Sequence, residues 1–310
     1  MFETNIRHLG GLLAAYDLSR EPALLAKAVE LGDMLYVGFD TPSRIPPFWL
    51  NFEQANQGTL VAETHQISAS VGAFSLEFTR LSQITGNAKY YSAIAHLTSV
   101  FVLHQNLTAL PGKWPTFIDA RNAKIEENSF TLGALADALY EYLPKMYYLL
   151  GGQEPIYEEM YMDAMEAIKQ HLLFRPMLTD NGDILFSGSA AVNRGVVELN
   201  SERQHLACFA GGLVTVGGKL FSHPEHFDVG AKLTHGCAYA YIQEMAWKIF
   251  QSIQNATEAE YGNAGIDDVN AIGDVRRSEA KRFHGVSPPD LISLDDCVLN
   301  TEAHPLKRPK

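Results

Sequence analysis

One pattern constrains this chain more than any other. A turn followed by an aromatic residue or leucine and then alanines recurs at Glu21-Pro22-Ala23-Leu24-Leu25-Ala26-Lys27-Ala28 and at Asn87-Ala88-Lys89-Tyr90-Tyr91-Ser92-Ala93. It returns at Glu154-Pro155-Ile156-Tyr157 and at Pro224-Glu225-His226-Phe227, with starts 66, 67 and 70 residues apart. Proline near the first helical turn, and glycine just beyond the previous helix, mark each start as the second helix of a hairpin. A repeated unit of this length predicts an all-α chain, a toroid or solenoid of helical hairpins. An ordinary helical bundle would give the same periodicity.

Ile6, Leu9, Leu12, Leu13 and Tyr16 form the first apolar stripe of helical period. Further stripes cover roughly 22–38, 71–84, 88–104, 131–150, 155–173, 204–220, 225–241 and 242–254. Strand candidates are short: Trp114–Ile118, Ile184–Phe186 and Val298-Leu299, expected as small hairpins between helices. The regular pattern weakens near residue 255. Segment 255–290 is rich in Asn, Gly, Asp and Ser and holds Pro288-Pro289, so it reads as irregular. The whole reads as one domain over 1–310.

With 310 residues and 46% hydrophobic content, the chain can bury a sizeable core. Its formal charge of −12 argues against a nucleic-acid partner, and its short basic clusters, Arg276-Arg277 with Lys281-Arg282 and Lys307-Arg308-Lys310, read as solvated charge. No run of 18 apolar residues predicts a transmembrane segment, and Met1–Arg7 lacks the pattern of a signal peptide. Cys208, Cys237 and Cys297 permit at most one disulfide and show no C-x-x-C spacing. Neither a dinucleotide-binding nor a Walker glycine loop is present.

Several polar residues lie among apolar ones. Glu3 has Arg7 four residues later, either a surface ion pair or a carboxylic acid held by a guanidinium. Asp137 sits among small neighbours in Thr131–Tyr142, which would let a ligand approach; a helical Asp can equally face water. Glu63 and Glu77 either line a polar cavity or face solvent. His205 opens the apolar stretch Leu206–Ala210, and Thr301 precedes Glu302 in a turn-like segment.

Four blocks of this sequence, in order, resemble glycoside hydrolase family 47, the class I α-mannosidases. They are Phe2-Glu3-Thr4-Asn5-Ile6-Arg7-His8-Leu9-Gly10-Gly11-Leu12-Leu13, the stretch Leu132 to Leu143, His205-Leu206-Ala207-Cys208-Phe209-Ala210-Gly211-Gly212, and Asn300-Thr301-Glu302-Ala303-His304-Pro305. The resemblance implies an α/α barrel and Ca²⁺-dependent, inverting removal of terminal α-1,2-linked mannose from high-mannose N-glycans. It implies that Glu3 is the general acid, oriented by Arg7, and that Asp137 is the second catalytic carboxylate. Thr301 would hold Ca²⁺ through its hydroxyl and carbonyl oxygens, which suit a hard cation. Glu63, Glu77, His205 and Glu302 would bind sugar and water. Leu135 stands where the single-mannose-trimming subgroup of the endoplasmic reticulum has Arg, so it resembles the Golgi and secreted fungal enzymes. Cys208 and Cys237 match the family's disulfide, which leaves Cys297 as a free thiol.

The chain also departs from that family. Its sequence opens at the first active-site block, where the family has preceding helices. The Arg-Pro-Glu segment that carries the family's candidate base has no match between Cys237 and Thr301; the only Pro-Glu is Pro224-Glu225. Met245–Phe250 resembles a later family helix, which implies a deleted hairpin, and 270–290 replaces another helix. Thr64–Ser70 reads as an insertion. The expectation is therefore a mannosidase-class enzyme of impaired activity, with a non-catalytic mannose-glycan binding protein or a decayed copy as the alternative. A structural disulfide needs an oxidising lumen, so the expected compartment of the full-length parent is the secretory pathway; Asn106-Leu107-Thr108 and Asn255-Ala256-Thr257 are sequons that would matter there.

Overall fold

The structure, a computed structural model, describes residues 1–178 and 182–261, with side chains through Gln243. Its contacts divide the chain into two units, Met1–Glu244 and Met245–Lys310. The described part of the second unit is helical backbone at 245–261.

The first unit opens with a π-helical turn, Thr4–Leu9, that runs directly into α1 (Gly10–Ser19). After the left-handed Arg20, α2 (Pro22–Tyr36) begins with proline in its first turn and with the Glu21 carboxylate accepting from the Ala23 N–H at 3.4 Å. The short α3 (Phe52–Gln57), strand β1 (Gln66–Ile67) and α4 (Ser68–Gly72) lead to the hairpin of α5 (Ser75–Thr85) and α6 (Ala88–Gln105). Gly86, at φ +68°, closes α5, and Asn87 caps α6. Strands β2 (Phe117–Ile118) and β3 (Ser129–Thr131) precede the third hairpin, α7 (Asp137–Leu149) and α8 (Ile156–His171). Then come β4 (Leu173–Phe174), β5 (Phe186–Ser187), β6 (Ser189–Asn193) and β7 (Val196–Asn200), followed by α9 (Phe209–Leu220) and α10 (Pro224–Tyr261).

All four recurring starts are therefore second helices of hairpins. The first helices pack side by side, α1 on α5, α5 on α7 and α7 on α9, while α6 meets α8 behind them. These inner and outer rows are the architecture of an α/α barrel. An aromatic cluster joins them: Phe39 meets Phe74 and Phe78 edge-on at 5.4 and 5.3 Å, and Phe78 stacks on Tyr90 at 5.7 Å.

The sequence reading differs from this fold in three places. The stripe at 131–150 is not helical throughout: β3 ends at Thr131, an irregular loop follows, and α7 begins at Asp137. The stripes at 225–241 and 242–254 form one continuous helix, because no breaker separates them. The sheet β3-β6-β7, antiparallel with Phe130 opposite Ala190, was not expected. Of the strand candidates, β2 and β5 fall on or beside two, and Val298-Leu299 lies outside the described residues. Segment 64–70 is built into the fold rather than appended to it. The His65 ring stacks on Phe117 at 4.0 Å, Gln66 and Ile67 pair with β2, and Ser68 and Ser70 are buried.

The α8–α9 contact has no room for a side chain at Gly217. A Cβ there would come within 2.2 Å of the Tyr161 ring, itself buried against Phe221 and His226. Gly217→Ala is expected to lower stability by about 1–2 kcal/mol, an overpacking cost, as a shift in the urea midpoint at unchanged slope.

Candidate functional site

Glu3 is the N-cap residue of the π-helical turn and Arg7 lies on it, an ion pair four residues apart with both side chains mostly exposed. Wider turns of this kind are frequent at functional sites. Between them Asn5 points inward, fully buried. Its amide donates to the Ala73 carbonyl at 2.8 Å and to the Glu77 carboxylate at 3.1 Å. Glu77 also accepts from the Tyr142 hydroxyl at 3.2 Å. Burial pushes the Glu77 pKa up to about 7 against the lowering effect of these bonds. Glu77 is thus not on an open rim: it is 9% exposed and ties the first turn, α5 and α7 together.

Asp137 is the first residue of α7. Its carboxylate accepts from the Ala138 N–H at 2.9 Å, and partial burial, then the nearby Glu141, raises its pKa. Leu135, two residues before it, has φ +75° and is exposed. The Leu135 carbonyl accepts from the Ala69 N–H at 3.1 Å and from the Ser68 hydroxyl at 3.4 Å. Across the loop, the Ala134 N–H donates to the Gln204 side chain at 3.1 Å, which places this loop beside His205. His205 opens a 3₁₀ turn, His205–Cys208, and its ring is hydrogen-bonded to the Tyr241 hydroxyl. The turn is tied to α10 by the Cys208–Cys237 disulfide, with Cα atoms 5.6 Å apart.

One path of contacts therefore runs from the Glu3 turn through Asn5 to Ala73, along α4 to the Leu135–Asp137 loop, and on through Gln204 to His205. Glu63 joins the Glu3 end: its carboxylate accepts from the Phe48 N–H at 2.9 Å, and both Glu63 and Glu3 act electrostatically on the Met1 amino group. Among the described residues, no hydrogen bond or ion pair joins Glu3 to Asp137 directly. Thr301, Glu302 and Cys297 lie outside the described residues. Among the described residues no group of three or more His, Cys, Asp or Glu side chains could hold a metal ion.

Sequence reasoning missed Asn5, Tyr142, Gln204 and Tyr241. Asn5 carried a signal, since it lies inside the quoted Glu3–Arg7 block; Tyr142 stands five residues after Asp137 in the second block. Gln204 and Tyr241 had none.

The sequence model of glycosyl hydrolase family 47 matches residues 1–243 and 240–308. The chain is 26% identical over 370 residues to human mannosyl-oligosaccharide 1,2-alpha-mannosidase IC, covering 99% of this chain and 57% of that protein. It is 30% identical over 386 residues to the human endoplasmic reticulum mannosyl-oligosaccharide 1,2-alpha-mannosidase, covering 99% and 52%. Among solved structures, the alpha-1,2-mannosidase from Trichoderma reesei superposes with a TM-score of 0.64 at 33% identity, covering 75% of this chain and 49% of that one. The chain spans about half the length of the curated relatives it matches.

Proposed function

Because the chain belongs to glycosyl hydrolase family 47, we propose that its chemistry is that of a glycosidase for terminal α-1,2-linked mannose of high-mannose N-glycans, acting with inversion. The observation that carries this is the hydrogen-bonded path linking the Glu3–Arg7 turn to the loop that ends at Asp137. Inversion needs one carboxylic acid to protonate the leaving oxygen and one base to activate water on the opposite face. Glu3 is the acid, and Arg7 orients it. Asp137 is the second catalytic carboxylate, its pKa raised by partial burial. Glu63, His205 and Glu302 hold sugar hydroxyls and water, and Leu135 leaves room where a larger cation would restrict the glycan. Ca²⁺ held through Thr301 belongs to this proposal and carries no step of it here.

The same reading assigns weak or absent turnover to this chain. The segment that would carry the base has no counterpart between Cys237 and Thr301. The alignment to a full-length relative spans 370 positions against a chain of 310 residues, which supports an internal deletion. Loss of a general base removes about 10²–10⁴-fold. A mannose-glycan binding protein without hydrolysis is the second reading, favoured by the retention of Glu3, Arg7 and Asp137 without that base. A single partial barrel over 1–310, and residence of the parent protein in the secretory pathway, complete the proposal; the disulfide supports the latter.

Mannose release from a high-mannose glycan, with and without EDTA, tests it. The expected result is little or no release together with calcium-dependent glycan binding. Robust release abolished by EDTA would overturn the impairment and keep the enzyme class; neither release nor binding would overturn the proposal.

A further inference from the structure

Lys113, in the loop between α6 and β2, is fully buried. Its Nζ donates to the Thr131 carbonyl at 2.7 Å and lies 3.7 Å from the centre of the Tyr140 ring. No charged group acts on it, and burial alone holds its pKa well below the usual lysine value, which favours the neutral amine. The titratable group facing it is the Tyr140 phenol, which burial keeps neutral as well. A methionine would fill this space without burying a polar head. What a methionine could not supply is the donor to Thr131. Thr131 ends β3, where the chain leaves the sheet toward α7. The Thr131 hydroxyl accepts from the Gly133 N–H at 2.9 Å. The Gly133 carbonyl in turn accepts from the N–H groups of Ala136 and Asp137, at 3.3 and 3.2 Å. The residue after Lys113 grips the same place from another side. The Trp114 N–H donates to the Tyr140 hydroxyl at 3.0 Å, and that hydroxyl donates to the Trp114 carbonyl at 2.7 Å. The entry to α7 is thus held at Thr131 and at Tyr140 by two consecutive residues of one loop.

We propose that Lys113 is a positioning residue for Asp137: its bond to the Thr131 carbonyl fixes the loop from which the Asp137 backbone hangs. This rests on the reading of Asp137 as the second catalytic carboxylate. Lys113 acts only through others, by three hydrogen bonds in series, to Thr131, from there to Gly133 and on to Asp137. Removing the amine has two effects of opposite sign. It relieves the cost of burying a polar head, which raises global stability. It also leaves a buried carbonyl without its donor, which loosens the loop locally. A side chain that served packing alone would move both in the same direction.

Lys113→Met in the full chain is read by urea unfolding, by native-state amide exchange and by NMR titration of the Asp137 carboxyl. Phe101→Leu is the control: Phe101 meets Trp114 edge-on at 5.7 Å, so the change weakens the same packing and leaves the Lys113 bond in place. Lys113→Met is expected to gain stability over the parent at pH 6, and less at pH 9. The unfolded lysine titrates near 10.5 and the folded one well below, so the unfolded chain binds more protons and the parent weakens as pH falls through that window. In the same variant the Gly133, Ala136 and Asp137 amides exchange roughly fivefold to tenfold faster. The Asp137 carboxyl, raised by partial burial in the parent, titrates closer to the ordinary aspartate value. Phe101→Leu is less stable and keeps the parent's Asp137 titration. Thr131→Val interrupts the second bond of the series with Lys113 in place, and it should loosen the same amides. Unchanged exchange and an unchanged Asp137 titration in Lys113→Met overturn the proposal, whatever the stability. Should that variant not fold, an unmoved loop in Thr131→Val overturns it instead. Glycan binding and mannose release indifferent to Asp137→Asn would count against the role of Asp137, while shifted loop readouts would still support the link to Lys113.

Discussion

Glu77→Gln should make the protein more stable at pH 8, by about 3 kcal/mol, and leave it nearly unchanged at pH 4. The carboxyl of Glu77 titrates at about 7 in the folded chain because burial opposes its charge. In the unfolded chain it titrates near the ordinary value of 4.5. Between those values the folded state binds more protons than the unfolded one, so stability falls as pH rises through that window and stays low above it. Glutamine keeps the shape and an acceptor for Asn5 and removes the ionisation. Urea unfolding of parent and variant at pH 4, 6 and 8 reads the effect directly. A gain of the same size at all three values, or a parent stability that is flat from pH 4.5 to 7, would show that burial is not what sets this group.

The second large effect belongs to the disulfide. Cys208 and Cys237 are 29 residues apart, and in the chain-entropy description a loop of this size contributes about 3–4 kcal/mol. The double variant Cys208→Ser, Cys237→Ser should lose about 3 kcal/mol in urea unfolding of the oxidised protein, within the usual range for a native bridge. Added reductant should bring the parent to the variant's midpoint and leave the variant unmoved. Indifference of the parent to reductant would remove the bridge from the account. His205 should respond too, since the bridge fixes the turn that carries it against α10 and Tyr241.

The hairpins were legible because their signals are local: a proline or a capping Asn at one end, a left-handed glycine at the other, and an apolar stripe between. Gly86, Asn87, Gly151 and Pro22 each do in the structure what their residue type dictates. The three-stranded sheet was illegible for the opposite reason. β6, Ser189–Asn193, buries alternate residues but they are Ala190 and Val192 beside Ala191, with little apolar contrast to read, and the short alternation of β7 is almost wholly exposed. The start of α7 was placed too early because Leu132, Leu135, Ala136 and Leu139 fit a helical stripe, and periodicity cannot register that Leu135 has left the helical region of backbone space. At the site, the family blocks named Glu3, Arg7, Asp137 and His205, but spacing alone could not tell a rim carboxylate from a buried one. Glu77 lies between Leu76 and Phe78, where either face of the helix was open to it; the amide of Asn5, 72 residues away, decides the matter.

Leu135 shows how such a loop can change its outer surface without changing its shape. Its left-handed backbone is held entirely through its carbonyl oxygen, by Ala69 and Ser68, while its side chain projects outward and supports nothing in the core. The geometry of the neighbouring Asp137 is thus insulated from the identity of residue 135. A position wired in this way is free to drift: a short apolar side chain can give way to a long basic one while the Asp137 carboxylate two residues on keeps its place.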